Sequence, residues 1–524
     1  MGHIRGIVVA AETGAPLGGA RVVTWNGESE PRETVADPDG RYEVAELPQG
    51  KYFVSASHSG YLTTAFGQRQ VRLIEGGAAV TVEAGQAVEH IDFALPRAGT
   101  IAVRVTDHLG EPLAGALVQV QRFQYSANGT RQLANAATGI RGPATTDDRG
   151  EVRVVGLAPG EYVIRASVRS IRRANAEASN VTEGFAPTFY PGTTDPGEAQ
   201  LVTLRMSEER AVRFAMIASR LSRVSGTAFT SAGLLAAGMD LQLAPGEGDN
   251  GIVYGAGSVG ADGTFAIAGV PRGSYTLRVR QRSARVRGEF ASVPLILDGD
   301  DVGGLRIVTS AGTTISGRIV FDGIATRPPT NELRVFALPP GLAGGGWVAM
   351  GSSVYDFPPD GTVAADGRFQ ITGASGRVQL DVRAQGWALK SVMLDGRDVT
   401  DEALDVTAIS SLSGVEITLT DKVTAISGHV RDGDGQLVGS YVAILLPHET
   451  SSSRRIHVSH SVPDGHFEVR RVRPGRYVAA AVESLEYGRH FAPEFQQQMR
   501  RGAREFTVAE GQTLMLDLTL TSDL

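Results

Sequence analysis

A short pattern that occurs five times places the strongest constraint on how this chain folds. Its last copy runs from Asp464-Gly465 through Phe467 and Val469 to Pro474-Gly475 and Tyr477. An Asp-Gly pair favours a tight turn, because glycine tolerates positive φ and the aspartate side chain bonds nearby backbone. Phe467 and Val469 alternate with polar residues, which is the period of a half-buried strand. The pattern therefore predicts a turn, a strand, a second turn and a second strand.

The other four copies repeat these residue types at a long, regular interval. They begin at Asp39-Gly40, Asp148-Arg149-Gly150, Asp262-Gly263 and, in a degenerate form, Asp366-Gly367. The residues after the second turn lie 110, 113, 103 and 99 residues apart, and they are Tyr52, Tyr162, Tyr275, Val378 and Tyr477. A period of about 100 residues exceeds that of a solenoid repeat and matches whole domains. We therefore predict five domains, at 1–97, 98–219, 220–310, 311–421 and 422–524.

A second element precedes each copy, and it consists of a strand, a turn and another strand. In the first domain it runs from Ile4 to Val9 and through Gly14-Ala15-Pro16-Leu17 to Val23. Further alternating segments, such as 88–95 and 514–520, close the domains. About seven short strands per domain, with turns between them, are the signature of an antiparallel β-sandwich. We predict an all-β tandem array with one short helix at 494–504, and we expect the recurring tyrosines to be core residues.

The two elements together resemble the carboxypeptidase regulatory-like domain. The resemblance rests on Gly110-Glu111-Pro112-Leu113-Ala114-Gly115-Ala116 and on Asp39-Gly40-Arg41-Tyr42-Glu43-Val44 with Leu47-Pro48-Gln49-Gly50-Lys51-Tyr52. It is strongest in the first, second and fifth domains. The resemblance implies a transthyretin-like (prealbumin-type) β-sandwich, related to the folds of many carbohydrate-binding modules.

The segment 386–401 has a resemblance of its own. Gly386-Trp387-Ala388-Leu389-Lys390 and Asp395-Gly396-Arg397-Asp398-Val399-Thr400-Asp401 are similar to a recurring piece of large multi-unit proteins of soil bacteria. Those proteins are usually predicted to be secreted or to belong to the envelope. The resemblance therefore implies an extracellular, cell-surface or periplasmic location, although the residues before Ile4 show no signal peptide.

Composition excludes several classes of function. The net charge of −7 disfavours a nucleic-acid partner, and the absence of cysteine removes disulfides and thiol chemistry. No apolar run reaches the roughly 18–20 residues that a membrane helix needs. We therefore expect no nucleic-acid partner and no membrane span.

The chain also offers few residues for catalysis or for a cofactor. A zinc carboxypeptidase needs a His-x-x-Glu pair on a large α/β domain, whereas His108 and Glu111 fall in a predicted hairpin turn. The Gly255–Gly260 segment matches a dinucleotide fingerprint by letter, but a hairpin follows it rather than a helix. Six of ten histidines lie in the fifth domain without metal-ligand spacing. We expect no catalytic residues, no metal site and no cofactor, so the chain is predicted not to be an enzyme.

Two aspartate-rich turns leave calcium as an alternative. They are Asp37-Pro38-Asp39-Gly40 and Asp432-Gly433-Asp434-Gly435, and neither has the full pattern of a calcium loop. Turn formation explains both, while calcium at turn loops or domain junctions stays open.

Aromatic residues outside the strand register are the remaining candidates for ligand binding. Flat rings match the apolar faces of sugars, and sandwich domains that hold glycans present such rings on loops. The candidates are Trp25 with Tyr61 in the first domain, and Trp347 with Tyr355 in the fourth. Each of these rings lies next to a polar or glycine-rich loop.

These features lead to one preferred function and two alternatives. We predict a non-enzymatic, rod-shaped scaffold or adhesion protein outside the cytoplasm, which binds carbohydrate or an envelope polymer, with protein partners or self-association next. The first alternative is a subunit of a surface filament, assembled through a free strand. The second is an accessory region of an exported hydrolase or of an outer-membrane transporter.

Overall fold

The described part of the chain contains five separate β cores. The computed structural model describes all residues except 27–29, 69–78, 128, 137–143, 169–182, 246–253, 282–287, 341–358, 408, 440, 449–451, 461–465, 484, 487 and 522–524. The buried apolar residues form main clusters within 4–95, 101–216, 224–307, 315–419 and 426–518. We call the parts of the chain around these clusters units one to five. The predicted tandem array of β-sandwiches is confirmed, and the predicted boundaries near 97, 220, 310 and 421 remain predictions.

Unit one packs two sheets face to face. Its strands are β1 (Gly2–Ala10), β2 (Arg21–Trp25), β3 (Arg32–Val35), β4 (Arg41–Leu47), β5 (Gly50–Ser57), β6 (Thr64–Ala65), β7 (Ala79–Val82), β8 (Ala87–Val88) and β9 (Phe93–Leu95). One sheet has the order β4-β1-β8, with β9 also on β1, and the other has the order β3-β2-β5-β6, with β7 also on β5. The alternation of buried and exposed residues along β4 and β5 is the one that the sequence predicts.

Unit two is the same sandwich with a longer second sheet. Its strands are β10 (Gly99–Thr106), β11 (Ala116–Tyr125), β12 (Arg131–Asn135), β13 (Ala144–Thr145), β14 (Glu151–Leu157), β15 (Gly160–Val168), β16 (Glu183–Phe185), β17 (Thr188–Phe189), β18 (Val202–Leu204) and β19 (Glu209–Ala215). The sheets are β14-β10-β19 and β12-β11-β15-β17, with β13 on β11 and β18 on β15.

Unit three receives one strand from its neighbour. Its strands are β20 (Ala218–Phe229), β21 (Asp240–Pro245), β22 (Tyr254–Ser258), β23 (Thr264–Pro271), β24 (Gly273–Arg280), β25 (Phe290–Leu297) and β26 (Val302–Val308). One sheet is β16-β20-β23 with β26 on β20, and the other is β22-β21-β24-β25. Because β16 follows β15 in the chain, this pairing ties unit two to unit three through backbone hydrogen bonds.

Unit four keeps the sandwich although its sequence copy is degenerate. Its strands are β27 (Thr313–Asp322), β28 (Arg334–Leu338), β29 (Asp360–Thr362), β30 (Arg368–Ala374), β31 (Arg377–Arg383), β32 (Ala388–Leu394), β33 (Arg397–Asp398), β34 (Leu404–Asp405) and β35 (Ser411–Thr420). The sheets are β30-β27-β35-β32-β33 and β29-β28-β31-β34.

Unit five carries the α-helix of the described part of the chain. Its elements are β36 (Ala425–Arg431), β37 (Val442–Pro447), β38 (His457–His460), β39 (His466–Arg470), β40 (Gly475–Val482), α1 (Pro493–Gly502), β41 (Arg504–Val508), β42 (Thr513–Met515) and β43 (Leu518–Thr519). The sheets are β39-β36-β42, with β43 on β36, and β38-β37-β40-β41. Phe495 and Met499 of α1 cover the outer face of the second sheet, so that sheet is buried on both faces. The predicted helix is confirmed.

In every unit the opening strand also pairs in parallel with a closing strand, which the alternating pattern did not predict. The pairs are β1 with β8 and β9, β10 with β19, β20 with β26, β27 with β35, and β36 with β42 and β43. Parallel pairing brings the end of each domain sequence back beside its start. Each unit is therefore closed on itself.

A glycine recurs in the opening strand at the position where the parallel pairing is interrupted. A Cβ at Gly6, Gly226, Gly317 or Gly428 would lie only 2.0 to 2.1 Å from a carbonyl oxygen of the closing segment, which is one strand in units three and four and two short strands in units one and five. At these positions the register shifts or the closing strand divides in two. In unit two Val103 takes the place of the glycine, and the pairing runs from Thr100 to Thr106 without a shift. Glycine is needed where the closing strand bends onto the opening one.

Each recurring tyrosine lies in the core and bonds to the backbone of the turn that precedes it. All four are buried, as predicted, and each hydroxyl donates to the carbonyl oxygen four residues earlier. The pairs are Tyr52 with Pro48, Tyr162 with Ala158, Tyr275 with Pro271, and Tyr477 with Arg473. The hydroxyl thus satisfies a turn carbonyl while the ring fills the core. In unit four Val378 is buried at this position but offers no hydroxyl.

Candidate functional site

The predicted ligand residues of unit one, Trp25 and Tyr61, have different environments. Trp25 is 42% exposed and lies beside Phe53, also 42% exposed, with ring centroids 6.1 Å apart. Tyr61 packs partly against the core of unit one and meets the ring of His58 edge-on at 5.4 Å. Phe53 is a partner that the sequence analysis missed. Period-two alternation could have found it, because Tyr52 points inwards on β5 and its neighbour must therefore point outwards.

The predicted ligand residues of unit four, Trp347 and Tyr355, lie outside the described residues. The third tryptophan, Trp387, is a core residue. Its ring meets Phe321 edge-on at 4.8 Å, and its Nε1 donates to the carbonyl oxygen of Thr326 at 3.3 Å.

Aspartate side chains at the turns accept hydrogen bonds from backbone N–H groups of the same turn. In Asp37, Asp107, Asp147 and Asp432, one carboxylate oxygen accepts from the N–H groups two and four residues later, at 2.8 to 3.1 Å. Calcium needs several oxygens that converge in one loop. These oxygens instead close the turn. Within the described residues, no three or more His, Asp or Glu side chains converge as metal ligands.

The residues tested for catalytic motifs lie in hairpins. His108 and Glu111 belong to the turn between β10 and β11, where the Glu111 N–H donates to Asp107 and the His108 ring faces Phe185. The Gly255–Gly260 segment covers most of β22 and the turn that leads into β23. The Gly255–Gly260 segment leads into a strand, whereas the dinucleotide fingerprint requires a helix at that point.

Among the histidines of unit five, two face each other and a third has a buried ring nitrogen. His429 and His466 face each other across β36 and β39, with ring centroids 5.5 Å apart. His457 on β38 has a buried Nε2 without a hydrogen-bond partner among the described residues. Burial lowers the pKa of His457 to about 4, so its ring is neutral at pH 7.

The junction between units four and five contains a network of charged side chains around Asp401. The Asp401 carboxylate accepts from Arg455 Nε at 2.8 Å and from Arg473 Nη1 at 2.7 Å. All three side chains are mostly buried. Arg473 also donates to the carbonyl oxygen of Lys390 at 3.2 Å. Charge-assisted bonds of this kind, removed from water, hold two surfaces in one orientation.

A second contact at this junction uses a fully embedded guanidinium. Arg454 of unit five is 5% exposed and donates to the carbonyl oxygen of Leu380 in unit four at 2.6 Å. Burial lowers the pKa of Arg454 from its usual value. Nearby, Lys390 donates to Asp322 at 2.5 Å and to Glu510 of unit five at 2.9 Å. The segment 386–401, singled out by its resemblance, therefore supplies both Lys390 and Asp401 to the junction.

Unit five also contacts unit two, which is distant in the sequence. Tyr125 of unit two packs on the apolar layer under α1, and its hydroxyl lies 3.5 Å from Glu494 Oε2. The approach is so close that a Cβ at Gly488 would lie 2.1 Å from the carbonyl oxygen of Tyr125. The expectation of an extended rod is therefore wrong. The chain folds back, so that Tyr125 packs against the apolar cluster of unit five that also contains Phe495 and Met499.

Units two and three meet along β16 and β20, and a cleft of about 560 Å³ lies beside this seam. The hydroxyl of Thr188 accepts from the N–H of Ile217 at 3.0 Å and donates to the carbonyl oxygen of Ala186 at 2.9 Å. These bonds fix the segment that leads from one unit to the next. Arginine and aromatic side chains line the cleft.

The described residues contain no helix that is long and apolar enough to cross a membrane.

Solved structures similar to this chain include three bacterial proteins. The TIE protein of Bacillus anthracis matches with 14% identity and a TM-score of 0.16, over 59% of this chain and 50% of that one. GBS52, the minor pilin of Streptococcus agalactiae, matches with 15% identity and a TM-score of 0.23, over 41% and 95%. BcpA, the major pilin subunit of Bacillus cereus, matches with 12% identity and a TM-score of 0.14, over 59% and 99%. With scores this low, the fold assignment rests on the strand pairings described above.

The sequence comparisons place the first unit in a family. No curated protein matches the chain. The model of the carboxypeptidase regulatory-like domain matches residues 3–96, which contain β1 to β9 and the first core. Unit one is therefore similar to the carboxypeptidase regulatory-like domain, and it is one of the β-sandwich units of a tandem array.

Proposed function

We propose that this chain is a non-enzymatic structural protein of the bacterial surface or periplasm, whose units form one stiff, folded-back body. One observation carries the proposal. The charged side chains that the described residues bury most deeply, Arg165 and Arg454, both lie where two units meet. In an enzyme, buried charges converge on reacting atoms. Here they lie beside junctions or cross them.

The junction contacts explain how such a body would stay stiff. Short linkers alone allow neighbouring domains to reorient, since interfaces between domains are usually mobile. Here backbone pairing joins units two and three, charged bonds join units four and five, and Tyr125 joins units two and five. Unit five is thus held from two sides, and a scaffold that spaces or presents other molecules needs this rigidity.

Small-angle X-ray scattering tests the proposal. We expect the wild type to scatter as a single compact particle, and the double variant Tyr125→Ala/Asp401→Asn to show a larger radius of gyration with unchanged circular dichroism. A matched double variant, Tyr61→Ala/Glu402→Gln, changes a tyrosine and a carboxylate for which no junction contact is described, and it should scatter as the wild type does. A wild type that scatters as flexible beads would overturn the proposal.

Assembly into a surface filament is the second candidate, and the edge strand β25 favours it. β25 pairs with β24 along its whole length from Phe290 to Leu297, and among the described residues its other edge has a single bridge, from Phe290 to Ser310. Ile296 is exposed on its outer face. A free strand edge can pair with another copy of the chain. Sedimentation velocity over a range of concentrations tests this, and assembly that survives Ile296→Lys would exclude β25 as the contact.

A further inference from the structure

The cleft between units two and three has the size and position of a ligand site. Its volume is about 560 Å³, and small-molecule sites usually measure about 300–1,000 Å³ and favour domain interfaces. Strands β12 and β15 and the segment 186–197 form the wall from unit two, and the start of β24 forms the wall from unit three. Both units are therefore needed to complete the cleft.

Three arginines make the cleft positive. Arg165 on β15 is 2% exposed, with its Cζ 5.4 Å from the centre of the Phe189 ring. Arg131 on β12 lies flat on Phe123, with its Cζ 3.6 Å from the ring centre. Arg272 comes from unit three and is exposed. The aromatic rings hold the first two guanidinium groups in place, so less side-chain entropy is lost when an anion binds.

One carboxylate also lines the cleft, and it has a structural task. Asp195 Oδ1 accepts from the N–H of Gly197 at 2.7 Å and so caps the short 3-10 helix Pro196–Glu198. Counting Asp195 against the three arginines leaves an excess of two positive charges among the lining residues. The cleft therefore favours an anionic ligand.

The apolar part of the lining narrows the class of anion. Phe123 is partly exposed and lines the cleft together with the arginines, whereas Phe189 and Tyr275 are each only 4% exposed where they reach it. Flat rings pack on the C–H faces of a pyranose, while a guanidinium binds a carboxylate through two parallel hydrogen bonds. A sugar that carries a carboxylate can contact the arginines and the aromatic lining at the same time, whereas an inorganic anion contacts the arginines alone.

We propose that the cleft between units two and three binds an acidic saccharide, namely a uronic-acid residue of an envelope or extracellular polysaccharide. The carboxylate lies against Arg131, Arg165 and Arg272, and the pyranose ring lies against Phe123, the partly exposed aromatic ring of the cleft. The proposal does not depend on the structural role proposed above, because binding can be lost while all junctions remain intact. It places saccharide binding at a unit junction rather than at the loop aromatics of units one and four.

Isothermal titration calorimetry on the full chain tests the proposal with three matched probes. Trigalacturonic acid carries both sugar and charge, its methyl ester lacks the charge, and triglutamate lacks the sugar. We expect trigalacturonic acid to bind at least tenfold more tightly than either control, and more weakly as salt rises. Equal binding of the methyl ester, binding of triglutamate as tight as that of the acid, or no binding of trigalacturonic acid would each overturn the proposal.

Variants of exposed arginines locate the site without risk to the fold. Arg131→Gln and Arg272→Gln should each weaken binding of trigalacturonic acid about tenfold, with unchanged thermal unfolding. Arg278→Gln is the matched control. Arg278 is an exposed arginine on β24, the strand whose first residues line the cleft, but Arg278 itself does not line it. If Arg278→Gln weakened binding as much, the effect would be one of net charge and the assigned site would be wrong.

Discussion

The hydroxyl of Tyr477 donates to the carbonyl oxygen of Arg473 at 2.8 Å, and the side chain of the same Arg473 binds Asp401 of unit four at 2.7 Å. The turn at Pro474-Gly475 is thus held by the core of unit five on one side and by a neighbouring unit on the other. In unit one Tyr52 makes the same bond to Pro48, but no arginine stands at that position. In unit five, Arg473 has made this repeated core element part of a junction.

Replacing Tyr477 should unfold unit five and leave unit one folded. Tyr477→Ala removes a buried ring, which typically costs about 3–5 kcal/mol, while Tyr477→Phe removes only the hydroxyl bond, which is worth about 1 kcal/mol. Hydrogen exchange with mass spectrometry should show faster exchange in 425–520 for the alanine variant. The independence of the units would be refuted if exchange in 2–95 rose equally.

Asp401→Asn should loosen the junction between units four and five. The variant weakens two charge-assisted bonds, of which each is worth about 1.5–3 kcal/mol, and leaves Arg455 and Arg473 without their shared anion. We expect a lower melting temperature and faster exchange at 386–401. Glu402→Gln is the control, because Glu402 pairs with Arg397 on the exposed surface. A junction role for Asp401 is ruled out if both variants behave alike.

His457 should make unit five less stable in mild acid. The unfolded chain takes up a proton near pH 6.5, whereas the folded protein does so only near pH 4. Between these values the unfolded state binds more protons, so the free energy of unfolding falls as the pH drops from about 6.5 to about 4 and then levels off. Urea denaturation at several pH values measures this. His457→Phe should remove that part of the pH dependence, and an unchanged profile in the variant would contradict the assignment.

Gly428→Ala should destabilise unit five although it adds a single methyl group. The new Cβ would lie 2.0 Å from the carbonyl oxygen of Leu516. Overpacking of this kind costs about 1–3 kcal/mol. Gly433→Ala serves as the control, because nothing lies within 4 Å of the added atom. Equal melting temperatures for the two variants would show that the closing strand can move away.

The glycan hypothesis for the loop aromatics remains a prediction with a direct test. If Trp25 stacks on a sugar, Trp25→Ala should lose binding on a glycan array, and Trp347→Ala tests the predicted site of unit four in the same way. Stacking involves no titrating group, so binding should change little between about pH 5 and 8. If both variants bind the same glycans as the wild type, these tryptophans do not form the binding site.

The local features of this protein could be predicted from sequence because each depends on residues close together in the chain. Asp37 bonds the backbone of its own turn, and Tyr52 bonds a carbonyl four residues earlier. Alternation predicts which side of a strand is buried, so the core tyrosines were predicted and Phe53 could have been. The one wrong prediction on shape, an extended rod, concerned contacts between residues that are hundreds of positions apart.

Turn chemistry and a two-residue period thus determine the β-sandwich, its approximate count of units and its buried tyrosines without reference to the rest of the molecule. Tertiary structure alone decides that Asp401 meets Arg473, that Tyr125 reaches Gly488, and that Arg165 and Arg272 line one cleft. The reason is physical. Strand formation depends on local backbone preference and burial, whereas a junction depends on how whole units are oriented, and no periodic pattern along a single strand encodes that orientation.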